Sequence, residues 1–380
     1  MRYLNGLLPS ITIGVMGNGV IYMIPLLVGG MVSDRGFDEQ VAGYMASADL
    51  GGYALATFLT AMLLDRVPWR QMAYIALAII VAANVATTFS HDITTFALAR
   101  IASGLGCGVL AALASVTIGQ SDEPDRNYGF LLAASLLYGT AALWGLPTLL
   151  ERFGLNFAYW MLAAFGCLIC FVVPFIPAGR EAATRDSNSS GHMPHWILAA
   201  AVLLSILLFW ADQNDVYAYI ERVGNASQIT PEFIGFSLGI ANLSGFLGAS
   251  LVAALGDRVG RFAPILVATL INLGCLYLLS RPATPWVYLV AISVTSLTWN
   301  IVNPFQLGVL ASVDPTGKAL ALAATVTGAG LAIGPAIGAA AIGFGGYPAI
   351  FWLAGGLAVV SVLLLLPALR VSAVGEAANG

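Results

Sequence analysis

Leu255-Gly256-Asp257-Arg258-Val259-Gly260-Arg261 is a polar stretch between two long apolar runs, and Leu64-Asp65-Arg66-Val67-Pro68-Trp69-Arg70 echoes it between two others. The two Asp-Arg pairs are separated by about half of the 380-residue chain. A motif that recurs at half-length predicts two copies of one structural unit.

The composition says what kind of unit. Hydrophobic residues make up 59% of the chain and charged residues 9%, with a mean hydropathy of +0.88. Soluble domains carry about 25% charged residues, so this chain belongs in a bilayer. Lipid cannot satisfy free backbone groups, and long apolar runs there must be helices. Each crossing takes about 20 residues. The net charge of −4 points to no partner, and with Lys318 as the single lysine and no basic cluster, nucleic acid is not expected.

Twelve spans are predicted: 6–30, 41–64, 71–90, 94–119, 128–150, 156–177, 195–220, 232–255, 262–280, 285–312, 318–341 and 348–369. Most connections are short. The exception, 178–194, is rich in Ser, charge and His, and reads as a linker between a six-helix bundle at 1–177 and a second at 195–380. With the N-terminus inside, ten basic residues fall on the inner side and four (Arg35, Arg152, Arg222 and Arg281) on the outer. That bias places both termini, the linker and both Asp-Arg loops in the cytoplasm, and the chain in the cytoplasmic membrane. Gly104 and Gly108, Gly235 and Gly239, and the ridge Gly330, Gly334, Gly338 predict close helix pairs. Pro335 is expected to bend its span and Pro304 to break its own.

The Asp-Arg loops resemble the signature joining helices two and three in the major facilitator superfamily, roughly G-x-L-x-D-R-x-G-R. In the second copy Leu255, Asp257, Arg258, Gly260 and Arg261 match, with Ala253 for the leading Gly. In the first, Leu63, Asp65 and Arg66 match, with Ala61 for Gly and Pro68-Trp69-Arg70 for the tail. Arg100 followed by Gly104, Gly106 and Gly108 is similar to the family's helix-four motif, with Ser103 where Gln is usual. The resemblance implies an all-α, polytopic, six-plus-six transporter with pseudo-two-fold symmetry that works by alternating access. It also implies that Asp65, Arg66, Asp257, Arg258 and Arg261 latch the inner face. The chemistry agrees, since an Asp at a helix end pairs with Arg or accepts from a neighbouring helix start. Plain positive-inside anchoring accounts for Arg70 and Arg370.

Four charges lie within spans. Arg100 sits about 9 Å, Asp49 about 12 Å, and Asp212 and Asp215 about 12 and 8 Å from the outer ends of their helices, at about 1.5 Å per residue. An intramembrane charge needs a partner or a wet cavity. Asp49, Arg100, Asp212 and Asp215 therefore form a candidate proton-coupling set in one polar layer. The competing readings are a static ion pair between helices and, for Arg100, snorkelling to the outer surface.

Polar and aromatic stripes add a candidate solute site. Asn18 and Tyr22 share a face of span one; Trp210 and Tyr219 flank the acidic stretch of span seven; Trp299, Asn303 and Gln306 share a face of span ten. The resemblance places helices one, four, seven and ten around the central cavity, so the stripes and the family point the same way. Such walls suit a small, partly apolar organic solute. Single residues such as Asn84, Asn242 and Asn272 read as interhelical hydrogen-bonding groups.

Cys167-x-x-Cys170 lies inside a span and reads as packing, and His192-Met-Pro-His195 is too poor a donor set for a metal. There is no Walker loop and no Gly-x-Ser-x-Gly or His-Glu-x-x-His, so neither ATP-driven transport nor an enzyme is expected. No cofactor is expected; the expected partners are a small solute, protons and the bilayer, and the chain is expected to act as a monomer. The Gly-Pro pair that family exporters carry in helix five is missing from span five, which leaves direction open between uptake symport and efflux antiport. The alternative is an uncoupled facilitator or uniporter, or a non-transporting receptor or assembly factor of the same fold.

Overall fold

The computed structural model describes residues 2–177, 196–255, 260–314 and 318–379. The linker 178–194, with His192, and also His195, Asp257 and Arg258, lie outside the described residues. The chain divides into two compact units, 1–184 and 185–380. Among the described residues the structure is helical, with one short 3-10 turn and no strand.

The first unit holds α1 (Arg2–Ser33), α2 (Glu39–Leu63), α3 (Trp69–Phe89), α4 (Ile93–Gly119), α5 (Pro124–Phe153) and α6 (Leu155–Ile169), with the 3-10 turn at Val173–Phe175. In it α4 packs on α1, α2 and α3, while α6 packs on α3 and α5 on α1. The second holds α7 (Trp196–Ala226), α8 (Pro231–Leu255), α9 (Phe262–Leu279), α10 (Pro285–Val313) and α11 (Lys318–Asn379). There α7 packs on α11, and α10 on α8 and α9.

The last element is two helices in one run. Its backbone leaves helical geometry at Gly345 and Gly346 (φ 65°), giving arms 318–344 and 347–379. Among the described residues each unit thus carries six α-helical segments. Nine helical stretches among the described residues are long and apolar enough to cross a membrane, the last of them running through both arms. The chain is a multi-pass membrane protein. Pro304 does not break its helix as expected from sequence: α10 continues through it, and α11 likewise runs through Pro335 and leaves helical geometry later, at the glycine pair. Opening the helix at either proline would strand further backbone groups in lipid, whereas staying helical forgoes little more than the proline's own hydrogen bond.

The ends of the helices show how a chain with few polar residues uses them. Asp38 caps α2 by accepting from Gln40 N at 2.8 Å. Asp34 reaches across the fold to accept from Leu155 N, the first residue of α6, at 2.6 Å. Its neighbour Arg35 donates to the carbonyls of Thr87, Thr88 and Ser90 at the end of α3 and to Asn156 Oδ1 at 2.6 Å. Acid at a helix start and base at a helix end both complement the helix dipole. One loop, 34–38, therefore ties three helices.

Asp92 caps α4, accepting from Thr95 N at 2.8 Å and from Thr95 Oγ1 at 2.6 Å. The Thr95 hydroxyl and N–H hold its carboxyl below the ordinary value of 3.8. A depressed carboxyl stabilises the fold above its unfolded value, and the contribution is lost as pH falls through the folded value. Asp92→Ala is expected to lower the thermal midpoint in detergent at neutral pH, by a margin that shrinks as pH is brought down through the carboxylate range. A pH-independent margin would show that the charge plays no part in the cap.

Candidate functional site

Arg100 is the largest side chain buried inside the first unit, with 1% of its surface exposed. It is placed by the glycines that follow it. A Cβ at Gly104 would overlap the carbonyl of Asp49, and one at Gly108 the carbonyl of Tyr53, so α2 and α4 touch backbone to backbone. This contact sets Arg100 Nη1 3.4 Å from Asp49 Oδ2, both side chains 2% exposed. Arg100 Nη2 donates to Asn84 Oδ1 at 3.1 Å and Thr87 Oγ1 at 2.5 Å on α3, and the guanidinium stacks 4.4 Å from the ring centre of Tyr159 on α6.

Snorkelling is therefore excluded: Arg100 turns into its own unit and joins four helices. The shell inside the unit pairs both Nη atoms, while Nε and Asp49 Oδ1 have no partner among the described residues. Asn84, Thr87 and Tyr159 are members of this cluster that sequence spacing did not single out for it. On α1, Asn18 is half-buried and accepts from Tyr53 OH at 2.9 Å; Tyr22 is half-buried on the same face.

The second unit carries its polar residues on α7. The glycine ridge of α11 lies along them: a Cβ at Gly330 would meet Trp210 Cβ at 2.7 Å, one at Gly334 the Ala211 carbonyl at 2.8 Å, and one at Gly338 the ring of Tyr219 at 3.1 Å. Asp212 and Asp215 have no exposed surface. Asp212 Oδ2 accepts from Gln213 Nε2 at 2.9 Å; Asp212 Oδ1 and both oxygens of Asp215 have no hydrogen-bond partner among the described residues.

The aromatic residues gather beside the acids. Trp210 meets Trp299 edge-on with ring centres 5.3 Å apart, and Tyr217, which sequence reasoning passed over, meets Trp299 at 6.4 Å. Asn303 is half-buried. Tyr219 and Gln306 are fully buried. Gln306 Nε2 donates to Ser205 Oγ at 3.2 Å and Ser361 Oγ at 3.3 Å, inside the bundle.

Of the signature loops, Asp65 and Arg66 are exposed in the turn between α2 and α3. Trp69 Nε1 closes that turn on the Leu64 carbonyl at 3.2 Å, and Arg70 Nε donates to the Ile176 carbonyl at 2.9 Å, which gives the departing residues of the first copy a bracing role. In the second copy Gly260 takes φ 61°, and Arg261 lays its guanidinium across α10, with Nε 3.2 Å from where a Cβ on Gly308 would stand. Asp49 and Arg100 meet in one unit, and Asp212 and Asp215 share a helix of the other. Cys167 and Cys170 are unbridged, Cys170 donating to the Gly166 carbonyl at 3.5 Å.

The family model described as Major Facilitator Superfamily matches residues 10–317. The chain belongs to the Major Facilitator Superfamily. Solved structures agree on the fold. A mutant of the nucleoside transporter NupG is similar with a TM-score of 0.78 and 14% identity, covering 97% of this chain and 100% of its own. A mutant of the peptide transporter POT in complex with alafosfalin gives 0.77 and 14%, covering 96% and 94%. The human organic anion transporter MFSD10 (TETRAN) gives 0.69 and 15%, covering 96% and 99%. At these identities the likeness carries the fold alone. No curated protein sequence is similar enough to match. As a member of the Major Facilitator Superfamily the chain is a transmembrane transporter, not an enzyme.

Proposed function

We propose that the protein is a secondary transporter that moves a small, partly apolar organic solute across the cytoplasmic membrane by alternating access, coupled to protons carried on Asp212 and Asp215. The observation that carries this reading is two fully buried carboxyls on one helix with no ion-pair partner among the described residues. An ionised carboxylate in a low-dielectric interior costs several kcal/mol unless it is neutralised. Gaining and losing the neutralising proton as the site is exposed to each side is coupling in its simplest form.

Trp210, Trp299 and Tyr217 offer an aromatic wall beside those acids. Aromatic walls with a few polar groups suit small organic ligands. Nucleoside, peptide and organic anion, the solutes named for the structural relatives, are of this size and differ in charge. Asn18, Tyr22 and Asn303, all half-buried, are the polar contacts we assign to the solute, with the fully buried Tyr219 and Gln306 proposed to complete the site. Asp65, Arg66 and Arg261, with Asp257 and Arg258, are assigned to the cytoplasmic latch. The excess of basic residues on that side supports both termini facing the cytoplasm.

The test is flux in proteoliposomes under an imposed pH gradient, in sodium-free buffer, across a panel of nucleosides, short peptides and aromatic acids. Asp212→Asn is expected to cut gradient-driven flux at least tenfold while solute-for-solute exchange persists. Full gradient-driven flux in both Asp212→Asn and Asp215→Asn would refute proton coupling. Flux in the parent protein that ignores the gradient would mark a uniporter, and none across the panel a receptor or assembly factor.

A further inference from the structure

A small cavity lies inside the second unit, between α7, α9, α10 and the 347–379 arm of α11. Its volume is about 10 Å³, room for about one water molecule or a bare ion. Among its lining residues are Asp212, Gln213, Thr269, Asn272, Thr298 and Ser361. Two of these present acceptors that nothing fills: Asp212 Oδ1 and Asn272 Oδ1 are buried and have no partner among the described residues, with Asp212 0% and Asn272 5% exposed.

The hydroxyls do not fill them either. Thr269 donates to the Ile265 carbonyl at 2.8 Å, Thr298 to the Thr295 carbonyl at 2.9 Å and Ser361 to the Ser205 carbonyl at 2.9 Å. A hydroxyl has one hydrogen and two lone pairs, so what Thr269 and Thr298 can turn to the cavity is oxygen, whereas both lone pairs of Ser361 are taken by Ser205 Oγ and Gln306 Nε2. The cavity is thus rich in hard oxygen acceptors, holds one carboxylate and has no basic residue in its wall. A water molecule could donate to both orphan acceptors but brings no charge to balance Asp212.

We propose that this cavity is a Na⁺ site, with Asp212 and Asn272 as the anchoring ligands and the Thr269 and Thr298 hydroxyls adding to the oxygen shell. One carboxylate matches one positive charge. Divalent sites draw on more carboxylates, and the described residues contain no cluster of three acidic, His or Cys side chains. The small volume selects Na⁺ and Li⁺ over K⁺. The inference goes beyond the coupling reading above, although it shares Asp212: Na⁺ and a proton then compete for one carboxyl. The other carboxyl of this helix, Asp215, is not in the cavity wall, and the lining residues from α9, α10 and α11 include no titratable group.

Equilibrium binding tests the site without transport, so its failure leaves proton coupling standing. The unfolding midpoint of the purified full-length protein in detergent is titrated with NaCl against KCl and choline chloride at constant ionic strength. A ligand that binds the folded form raises the midpoint saturably. The midpoint is expected to rise with Na⁺ and Li⁺, and not with K⁺ or choline. Asn272→Ala should weaken the apparent Na⁺ affinity at least tenfold, and Asp212→Asn should abolish the response. Thr298→Val, which removes an oxygen at almost constant volume, gives a second reading should Asp212→Asn not fold, and is expected to weaken Na⁺ binding several-fold. Equal midpoints in Na⁺ and K⁺, or a Na⁺ response that survives Asp212→Asn or is unchanged in both Asn272→Ala and Thr298→Val, would overturn the assignment.

Discussion

Arg100→Leu should destabilise the first unit by about 3–5 kcal/mol, the usual cost of removing one partner of a buried ion pair. The guanidinium holds Asp49 at 3.4 Å, Asn84 at 3.1 Å and Thr87 at 2.5 Å, and covers the Tyr159 ring. Without it the Asp49 carboxylate stays 2% exposed with neither oxygen paired, since Oδ1 already lacks a partner. The helices cannot open to water it, because Gly104 sets α4 directly on the Asp49 backbone. Most of the cost is thus an uncompensated charge, and Asp49→Asn in the same chain should recover much of it. The double variant is expected to melt nearer the parent than Arg100→Leu does, a coupling that a double-mutant cycle measures directly. If Arg100→Leu melts with the parent yet loses gradient-driven flux, the pair serves coupling and not bracing.

The cluster shows where the sequence was legible and where it was not. An arginine in an apolar run demands a partner, and depth along the helix put Asp49 among the candidates together with Asp212 and Asp215, because rise per residue is fixed. Asn84, Thr87 and Tyr159 come from α3 and α6, and which way those helices face depends on packing that no periodicity within them records. Helix positions were legible for a related reason: lipid forces each apolar run into a helix, leaving only the ends to polar residues such as Asp92 and Asp38. The ends also carried what the sequence hid, since Asp34 and Arg35 serve helices about 50 and 120 positions away. In the second unit, Trp210 and Trp299, picked out on two separate helices, meet edge-on. Gln306, placed by spacing on the face of Trp299 and Asn303, bonds Ser205 and Ser361 in the interior. The period says which residues share a face and not which neighbour covers each turn of it. Asn272 read as an ordinary bonded amide; its unfilled oxygen is visible only once four helix faces are brought together.

Gly334→Ala is expected to destabilise the second unit, whereas Gly356→Ala, on the same element, should be neutral or mildly stabilising. Both replace helical glycine with alanine, a change that by itself favours the helix by about 1 kcal/mol. The surroundings decide the sign. At Gly356 an added Cβ meets nothing within 4 Å. At Gly334 it would stand 2.7 Å from Asn214 Cβ, 2.8 Å from the Ala211 carbonyl and 2.9 Å from Asp215 N. Two of those are backbone atoms of α7 and cannot rotate away, so α7 and α11 must separate. Overpacking of this kind costs about 1–3 kcal/mol, enough to reverse the propensity gain, and Gly334→Val should cost more still. Separation also moves the α7 segment that carries Asp212 and Asp215, so the Na⁺-dependent rise in midpoint should weaken in Gly334→Ala and persist in Gly356→Ala. Thermal unfolding of both variants in detergent, with and without Na⁺, checks the pair of outcomes. If Gly334→Ala melts at or above the parent, α7 and α11 do not meet at this ridge, and the placement of the acidic residues against it is wrong.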